Sequence, residues 1–220
     1  MNYKNLLCKL LYIYLCVSFN EWFIHKYIMH GDEKQLSKIP LAGQRLARIS
    51  KEHRKHHNLI SMNMKPNPHN HTNSFCWPTI FMFSFIVYIQ LIPLFKNTNI
   101  NLCVSFTVSL LYAFLWNNIH NDMHNSTGYT YIKNGPPNIL KHKLTNNPLY
   151  SYLWYNHAIH HLQKGQKFNF NIICVGFDHI MGTLHDRCYD NVKYCEQNPT
   201  DQRCLTSTNR YCLRANDVHR

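Results

Sequence analysis

Acidic residues are scarce: 11 Asp and Glu stand against 23 Lys and Arg in 220 residues, a formal charge of +12. Glycine (7) and proline (9) are few, which excludes collagen-like and Gly/Pro-rich low-complexity chains. Among the nine cysteines there is no Cys-x2-4-Cys pair of the kind zinc modules use. Nine is odd, so they cannot all pair within one chain. Cys8, Cys16, Cys76, Cys103 and Cys174 sit in apolar stretches, whereas Cys188, Cys195, Cys204 and Cys212 crowd a polar tail. Free thiols in a reducing compartment and disulfides within the tail both fit this usage. No carboxylate is placed like the base of a His-Glu-x-x-His hydrolase.

What is present is apolar and basic by turns. A 45% hydrophobic content excludes a disordered chain, and the length suits one main domain. Excess positive charge by itself suggests nucleic acid. Here 26 Asn and 15 Lys against 8 Arg point to an AT-rich coding bias, no nucleic-acid motif appears, and membrane topology explains the charge better. Cys76 to Phe95 and Ile100 to Ile119 are two uncharged runs, each about the length that crosses a bilayer core. A third span, Leu10 to Ile24, is shorter and bracketed by Lys9 and Glu21. Its rival reading is a signal peptide, but no small-x-small cleavage site follows it. Eight Lys and Arg lie between Gly31 and Lys65, against Lys96 alone in the 96–99 link. The positive-inside rule then puts 31–74 and everything after 119 on the cytoplasmic side, with the basic stretch against anionic headgroups. Residues 36–60 read as an interfacial helix, 126–148 as loop, and Leu149–Leu162 as helix.

Sixteen histidines are the outlier, and ten of them cluster. The clusters are His25-x4-His30, His53-x-x-His56-His57, His120-x3-His124 and His157-x-x-His160-His161. Spacings of three and four bring side chains to one helical face. His25 and His30 stand about 140° apart on an ideal α-helix, so they flank one metal site or serve two. At this composition one His-x-x-His-His is expected roughly 0.1 times per chain, and there are two. All four clusters fall on the same side of the membrane as assigned from charge. His69, His71, His142, His185 and His219 read as ordinary surface or hydrogen-bonded histidines. Imidazole suits Fe, Zn, Cu and Ni. Ten ligands exceed one tetrahedral zinc and fit two metals. Nitrogen-rich ligation with open positions is what O2 activation by iron requires. Glu21 precedes His25 by four residues and is a candidate to orient it; Asp122 and Asp178 are weaker candidates for such a supporting role.

With these boxes the chain resembles the fatty acid hydroxylase/sterol desaturase superfamily of integral-membrane di-iron oxygenases. Glu21-Trp22-Phe23-Ile24-His25-Lys26-Tyr27-Ile28-Met29-His30 is similar to its first histidine box. His53-Arg54-Lys55-His56-His57 is similar to the second, and His157-Ala158-Ile159-His160-His161 to the last. His120-x3-His124 matches the intermediate pair of fatty-acid hydroxylases. Asn169-Phe170-Asn171 through Asp178-His179-Ile180-Met181-Gly182-Thr183 resembles the family's ending. The resemblance covers about residues 10–185. Three spans stand where four are common, Met181 replaces an aromatic, and the Cys-bearing tail has no counterpart.

The resemblance implies an all-α integral-membrane protein of about three transmembrane helices with a cytoplasmic, histidine-rich helical cap. Residues 1–185 would form the membrane domain and 186–220 a polar tail. His25, His30, His53, His56, His57, His120, His124, His157, His160 and His161 would ligate two Fe ions (Zn being possible on purification), with O2 as co-substrate. The activity implied is hydroxylation of a lipid C–H bond, on a fatty acyl chain or related lipid. Desaturation shares the same ligands, and carotenoids or sterols are the alternative substrates. A metal-binding membrane protein without redox chemistry is a second alternative. No cytochrome b5-like or flavin domain fits in 220 residues, so electrons are expected from an external cytochrome b5- or ferredoxin-type donor docking on the basic face. The endoplasmic reticulum is the expected membrane in a eukaryotic cell. Phe81, Phe83, Phe85, Phe106, Tyr112, Phe114 and Trp116 either line an acyl pocket or pack helices and face lipid. Alanine at His56, His57, His160 or His161 is expected to abolish lipid hydroxylation, and alanine at His69, His71 or His219 to leave it intact. Profiling hydroxylated lipid for each variant checks this.

Overall fold

A computed structural model describes residues 3–60, 74–124, 147–162 and 167–185. The loop expected at 126–148 for the most part, His69, His71, His142, His219 and the four tail cysteines lie outside them. Regular structure among the described residues is helical. Helix α1 (Tyr3–Phe23) continues into a π-helical turn, Ile24–Met29. A short α2 (Glu33–Leu36) and α3 (Gly43–Leu59) follow, then α4 (Trp77–Leu91) and α5 (Thr98–Leu115). A second π-helical segment, Trp116–His120, extends α5 into α6 (Asn121–Met123). Helix α7 (Pro148–Leu162) and the single turn α8 (Phe177–Ile180) complete the chain as described.

Two helical stretches are long and apolar enough to cross a membrane, Tyr3–Met29 and Thr98–Met123. The middle candidate is shorter than expected. Trp77–Leu91 is 15 residues, about 22 Å at 1.5 Å per residue, against a hydrocarbon core of about 30 Å. The interfacial helix expected over 36–60 starts later, at Gly43, after the short α2 ends at Leu36. Asp32 caps α2 by accepting the Gln35 N–H at 2.9 Å, and Pro40 interrupts the chain before α3 begins at Gly43. A Cβ on Gly43 would stand 2.5 Å from the Ser37 carbonyl oxygen, so only glycine permits so close a turn.

Helices α4 and α5 form a hairpin. Pro78 sits in the first turn of α4, where its missing N–H costs nothing. Asn97 caps α5 by accepting N–H bonds from Asn99 and Ile100. Ile80, Phe83, Val87 and Leu91 make one buried stripe of α4, facing Tyr112, Ala113 and Trp116 in the same core. Phe83 stacks on Tyr112 with centroids 4.9 Å apart. The aromatics considered for an acyl pocket divide accordingly. Phe83, Tyr112 and Trp116 are core, while Phe81, Phe85 and Phe106 are exposed and form an outward apolar face, as lipid contact would require.

Several polar groups between the apolar helices are paired. Asn20 of α1 and Gln90 of α4 exchange two amide hydrogen bonds of 2.8 Å each. Asn101 donates to the Tyr88 carbonyl at 3.1 Å. Ser105 and Ser109 return their hydroxyls to carbonyls one turn back, the habit of hydroxyl side chains in apolar helices. Asn117 brackets Phe75, accepting its N–H at 2.7 Å and donating to its C=O at 3.0 Å, which ties the start of α4 to the second π segment. Gln90→Leu strands the Asn20 amide and is expected to lower stability in detergent by about 1–2 kcal/mol. The double variant with Asn20→Leu should recover part of that loss, as thermal unfolding will read.

Candidate metal centre

All ten clustered histidines converge. Nε2 of His53, His30, His160 and His57 form a closed quadrilateral with successive edges of 3.1, 3.0, 3.2 and 3.0 Å. His25 joins through His53, Nε2 to Nε2, at 3.0 Å. One nitrogen from each of the five lies within 4.8 Å of all the others. Two nitrogens about 2.1 Å from a common ion are about 3.0 Å apart at right angles and about 3.4 Å apart in a tetrahedron. The edges match the right-angled spacing, and five nitrogens would leave one of an octahedral ion's six positions open. A second group adjoins the first. His56, His120 and His124 form one set of nitrogens within that 4.8 Å limit, and His124, His157 and His161 another. His124 and His157 stand 3.0 Å apart, Nε2 to Nε2. No carboxylate or thiolate joins either group among the described residues.

The backbone explains how these residues meet. In an α-helix the five-residue step from His25 to His30 would separate them. In the π turn the His30 N–H bonds to the His25 carbonyl at 3.0 Å, the i→i+5 pattern of a wider helix. At about 4.4 residues per turn, five residues overshoot one turn by only about 50°. The two rings come to 5.1 Å, centroid to centroid, and serve one site. Gly31 closes this turn, since a Cβ there would lie 2.3 Å from the Tyr27 carbonyl oxygen. Ser50 of α3 donates to the Gly31 carbonyl at 2.7 Å and so registers α3 against the turn.

The two His-x-x-His-His boxes are cross-wired. From α3, His53 and His57 enter the first group and His56 the second. From α7, His157 and His161 enter the second group and His160 the first. Each group therefore takes a pair from the end of a long apolar helix, an i, i+4 pair from one box and a single histidine from the other. The His57 and His161 rings stack at 4.1 Å where the groups meet.

Electrostatics favour the ligand form of these rings. Burial holds the imidazoles of His53, His56, His57, His157 and His161 well below the usual histidine range, and neighbouring imidazoles push further. Burial lowers His30 to about 2. It lowers His160 to about 4 against a smaller opposing effect of the Phe168 carbonyl. Neutral imidazole is the form that carries a metal-binding lone pair. His25 Nδ1 donates to the Phe170 carbonyl and His160 Nδ1 to the Phe168 carbonyl, each at 2.7 Å. A carbonyl only accepts, so the proton sits on Nδ1 and each Nε2 lone pair points into the cluster. Both nitrogens of His56 and His161 are buried with no hydrogen-bond partner among the described residues. Such orphaned nitrogens are costly in a protein interior, and a cation between them satisfies them. The donor set therefore fits metal.

The three carboxylates bond backbone N–H and hydroxyl groups around the site. Glu21 does not orient His25 directly. Its carboxylate accepts the N–H groups of Ile172, Ile173 and Cys174 and holds the loop that carries the Phe170 carbonyl. Asp178 accepts the Phe170 and Asn171 N–H groups and the Thr183 hydroxyl. Asp122 accepts the Tyr150 hydroxyl at 2.7 Å and ties α6 to α7. The two loop carbonyls behind His25 and His160 were not foreseeable as named groups, because any residue offers a carbonyl. His185 stacks on Phe168 with centroids 4.9 Å apart and joins neither group. Cys8, Cys16, Cys76, Cys103 and Cys174 are free thiols.

Comparison with known proteins finds no match for this chain among family models, curated proteins or solved structures. The functional reading therefore stands on the geometry. Cobalt(II)-loaded protein is expected to show the weak d–d absorption of five- and six-coordinate nitrogen sites. Intense tetrahedral bands would contradict the right-angled nitrogen set.

Proposed function

We propose that this chain is a membrane-bound two-metal oxygenase that hydroxylates a lipid C–H bond. The observation that carries the reading is a group of five histidines adjoined by two histidine trios that share His124, all imidazole, at the ends of apolar helices. Thiolates would favour structural zinc. A carboxylate base beside a three-ligand site would favour hydrolysis. Neither is present in the groups among the described residues. Neutral nitrogen donors with a position to spare suit a metal that changes oxidation state and admits O2. The chemistry that iron supplies in such a site is activation of O2 for insertion of one oxygen atom into an unactivated C–H bond.

The chain's own residues have defined tasks under this reading. His25, His30, His53, His57 and His160 hold one iron; His56, His120, His124, His157 and His161 hold the other. The carbonyls of Phe168 and Phe170 keep His160 and His25 in the ligand tautomer. Eight of the ten rings are buried, while His30 and His161 are half-buried, so access to the groups is from their side. The exposed apolar faces of α1, α4 and α5 meet the bilayer and offer lipid a path to the site. The protein is then a multi-pass membrane protein with its metals on the basic, cytoplasmic side, in the endoplasmic reticulum if the cell is eukaryotic. An external one-electron donor with an acidic face supplies reducing equivalents through the basic surface.

Protein purified in detergent from iron-supplemented cells should contain about two irons per chain, reduced or absent in His160→Ala. Oxygen consumption should accompany formation of hydroxylated lipid. Stable metal without oxygen consumption, after iron reconstitution, would instead favour a non-redox metal protein. A well-folded sample that takes up no metal would overturn the reading.

A further inference from the structure

The two groups differ in what stands behind them. In the second, Nδ1 of His56, His120, His157 and His161 has no hydrogen-bond partner among the described residues. In the first, His25 and His160 lean on carbonyls two residues apart in one loop. The carbonyl that accepts from His25 belongs to the peptide unit between Phe170 and Asn171. The N–H of that same unit donates to Asp178 Oδ2 at 2.6 Å. A carboxylate, a peptide group and an imidazole therefore lie in line, ending at a metal-facing nitrogen.

We propose that Asp178 is a positioning residue for the first group alone, acting on His25 through this intervening peptide. Hydrogen bonds in series polarise one another. A carboxylate on the N–H makes the carbonyl a stronger acceptor, and a stronger acceptor on Nδ1 makes Nε2 a better donor to metal. Asp178 is buried and fixed to the task. Its Oδ1 accepts from the Phe170 N–H at 3.1 Å and the Thr183 hydroxyl at 2.6 Å. Its own N–H returns to Asn171 Oδ1 at 3.0 Å. The Phe168 carbonyl, which serves His160, is steadied differently. The N–H of its peptide unit, that of Asn169, donates to the Thr183 carbonyl at 2.9 Å, a neutral acceptor. The relay thus reaches one histidine with full carboxylate charge behind it. Nothing equivalent stands behind the four second-group rings named above, so removal of the charge should weaken one metal and spare the other.

This inference rests on the reading of both groups as metal sites, and the test separates the two. Cobalt(II)-loaded protein in detergent is challenged with EDTA, and release is followed by absorption. Wild type should lose cobalt in two phases, and His30→Ala, which breaks the first group, identifies the phase that belongs to it. Asp178→Asn should speed that phase about 10- to 100-fold and leave the other phase unchanged, while the metal-free protein unfolds at a modestly lower temperature because the amide replaces one acceptor oxygen with a donor. If Asp178→Asn does not accumulate, Thr183→Ala, which removes one donor to the carboxylate, should shift the same phase by a smaller factor. Equal acceleration of both phases would mean general loosening and overturn the relay. So would two unchanged phases in a variant that still binds two cobalt ions, with the metal reading intact. Wild type that binds no cobalt would overturn the metal reading itself.

Discussion

Imidazole lone pairs do not belong together in a protein interior. Here five ring nitrogens lie within 4.8 Å of one another in a single group, with five of the Nε2 pairs at about 3 Å, and a ring nitrogen offers at most one proton to one neighbour. The remaining pairs oppose each other, and burial denies them both water and protonation. A cation at the centre turns the same contacts from repulsive to attractive. The rest of the chain is arranged so that the crowding is tolerated: apolar helices fix the origins of the rings, and a hydrogen-bonded loop fixes the orientation of two of them. Metal uptake would thereby be linked to folding, because the ligands would gain their stabilisation only with an ion in place.

The ten histidines were legible because their spacing is a local property and their number exceeds chance. Their division between two groups was not. Sequence spacing is converted into angle by assuming 3.6 residues per turn, and the wider turn at Ile24–Met29 breaks that assumption at the one pair that needed it. Glu21 misled for a related reason. Four residues before His25 reads as the same helical face, yet a buried carboxylate is better satisfied by three backbone N–H groups than by one imidazole. The Asn169 to Thr183 segment was visible as a motif without a stated task. Its task is backbone accounting, in which Asn169, Asn171 and Asp178 bond to N–H and C=O groups of the loop and, through Asn171, of α1. The presence of the helices was legible and their ends less so: α1 starts earlier and α4 is shorter than expected, and the turn through Pro40 delays α3 to Gly43.

Helix α1 joins the apolar and polar halves of the molecule. Its first turns are exposed and apolar, with Leu7, Leu10 and Leu11 outward. Its last turns are buried and polar, and they grip the loop. Ser18 accepts from the Phe177 N–H and, through its carbonyl, from Asn171. Trp22 donates to the Thr183 hydroxyl at 2.9 Å. One helix therefore carries, in sequence, an apolar outer stretch, the support of the loop and the first two histidines of the site. A shift of α1 along its axis would disturb all three together, which is why polar residues recur on an otherwise apolar segment at positions 18, 20 and 21.

The cross-wiring of α3 and α7 has a mechanical consequence. Neighbouring residues in the chain, His56 with His57 and His160 with His161, belong to opposite groups. The gap between the two groups is therefore spanned twice by a single peptide step, with consecutive Cα atoms about 3.8 Å apart. Helices can breathe, tilt and slide in a bilayer, but a peptide unit does not stretch. The spacing of the two histidine groups is thus ruled by covalent geometry and insulated from softness in the packing of the helices that carry them.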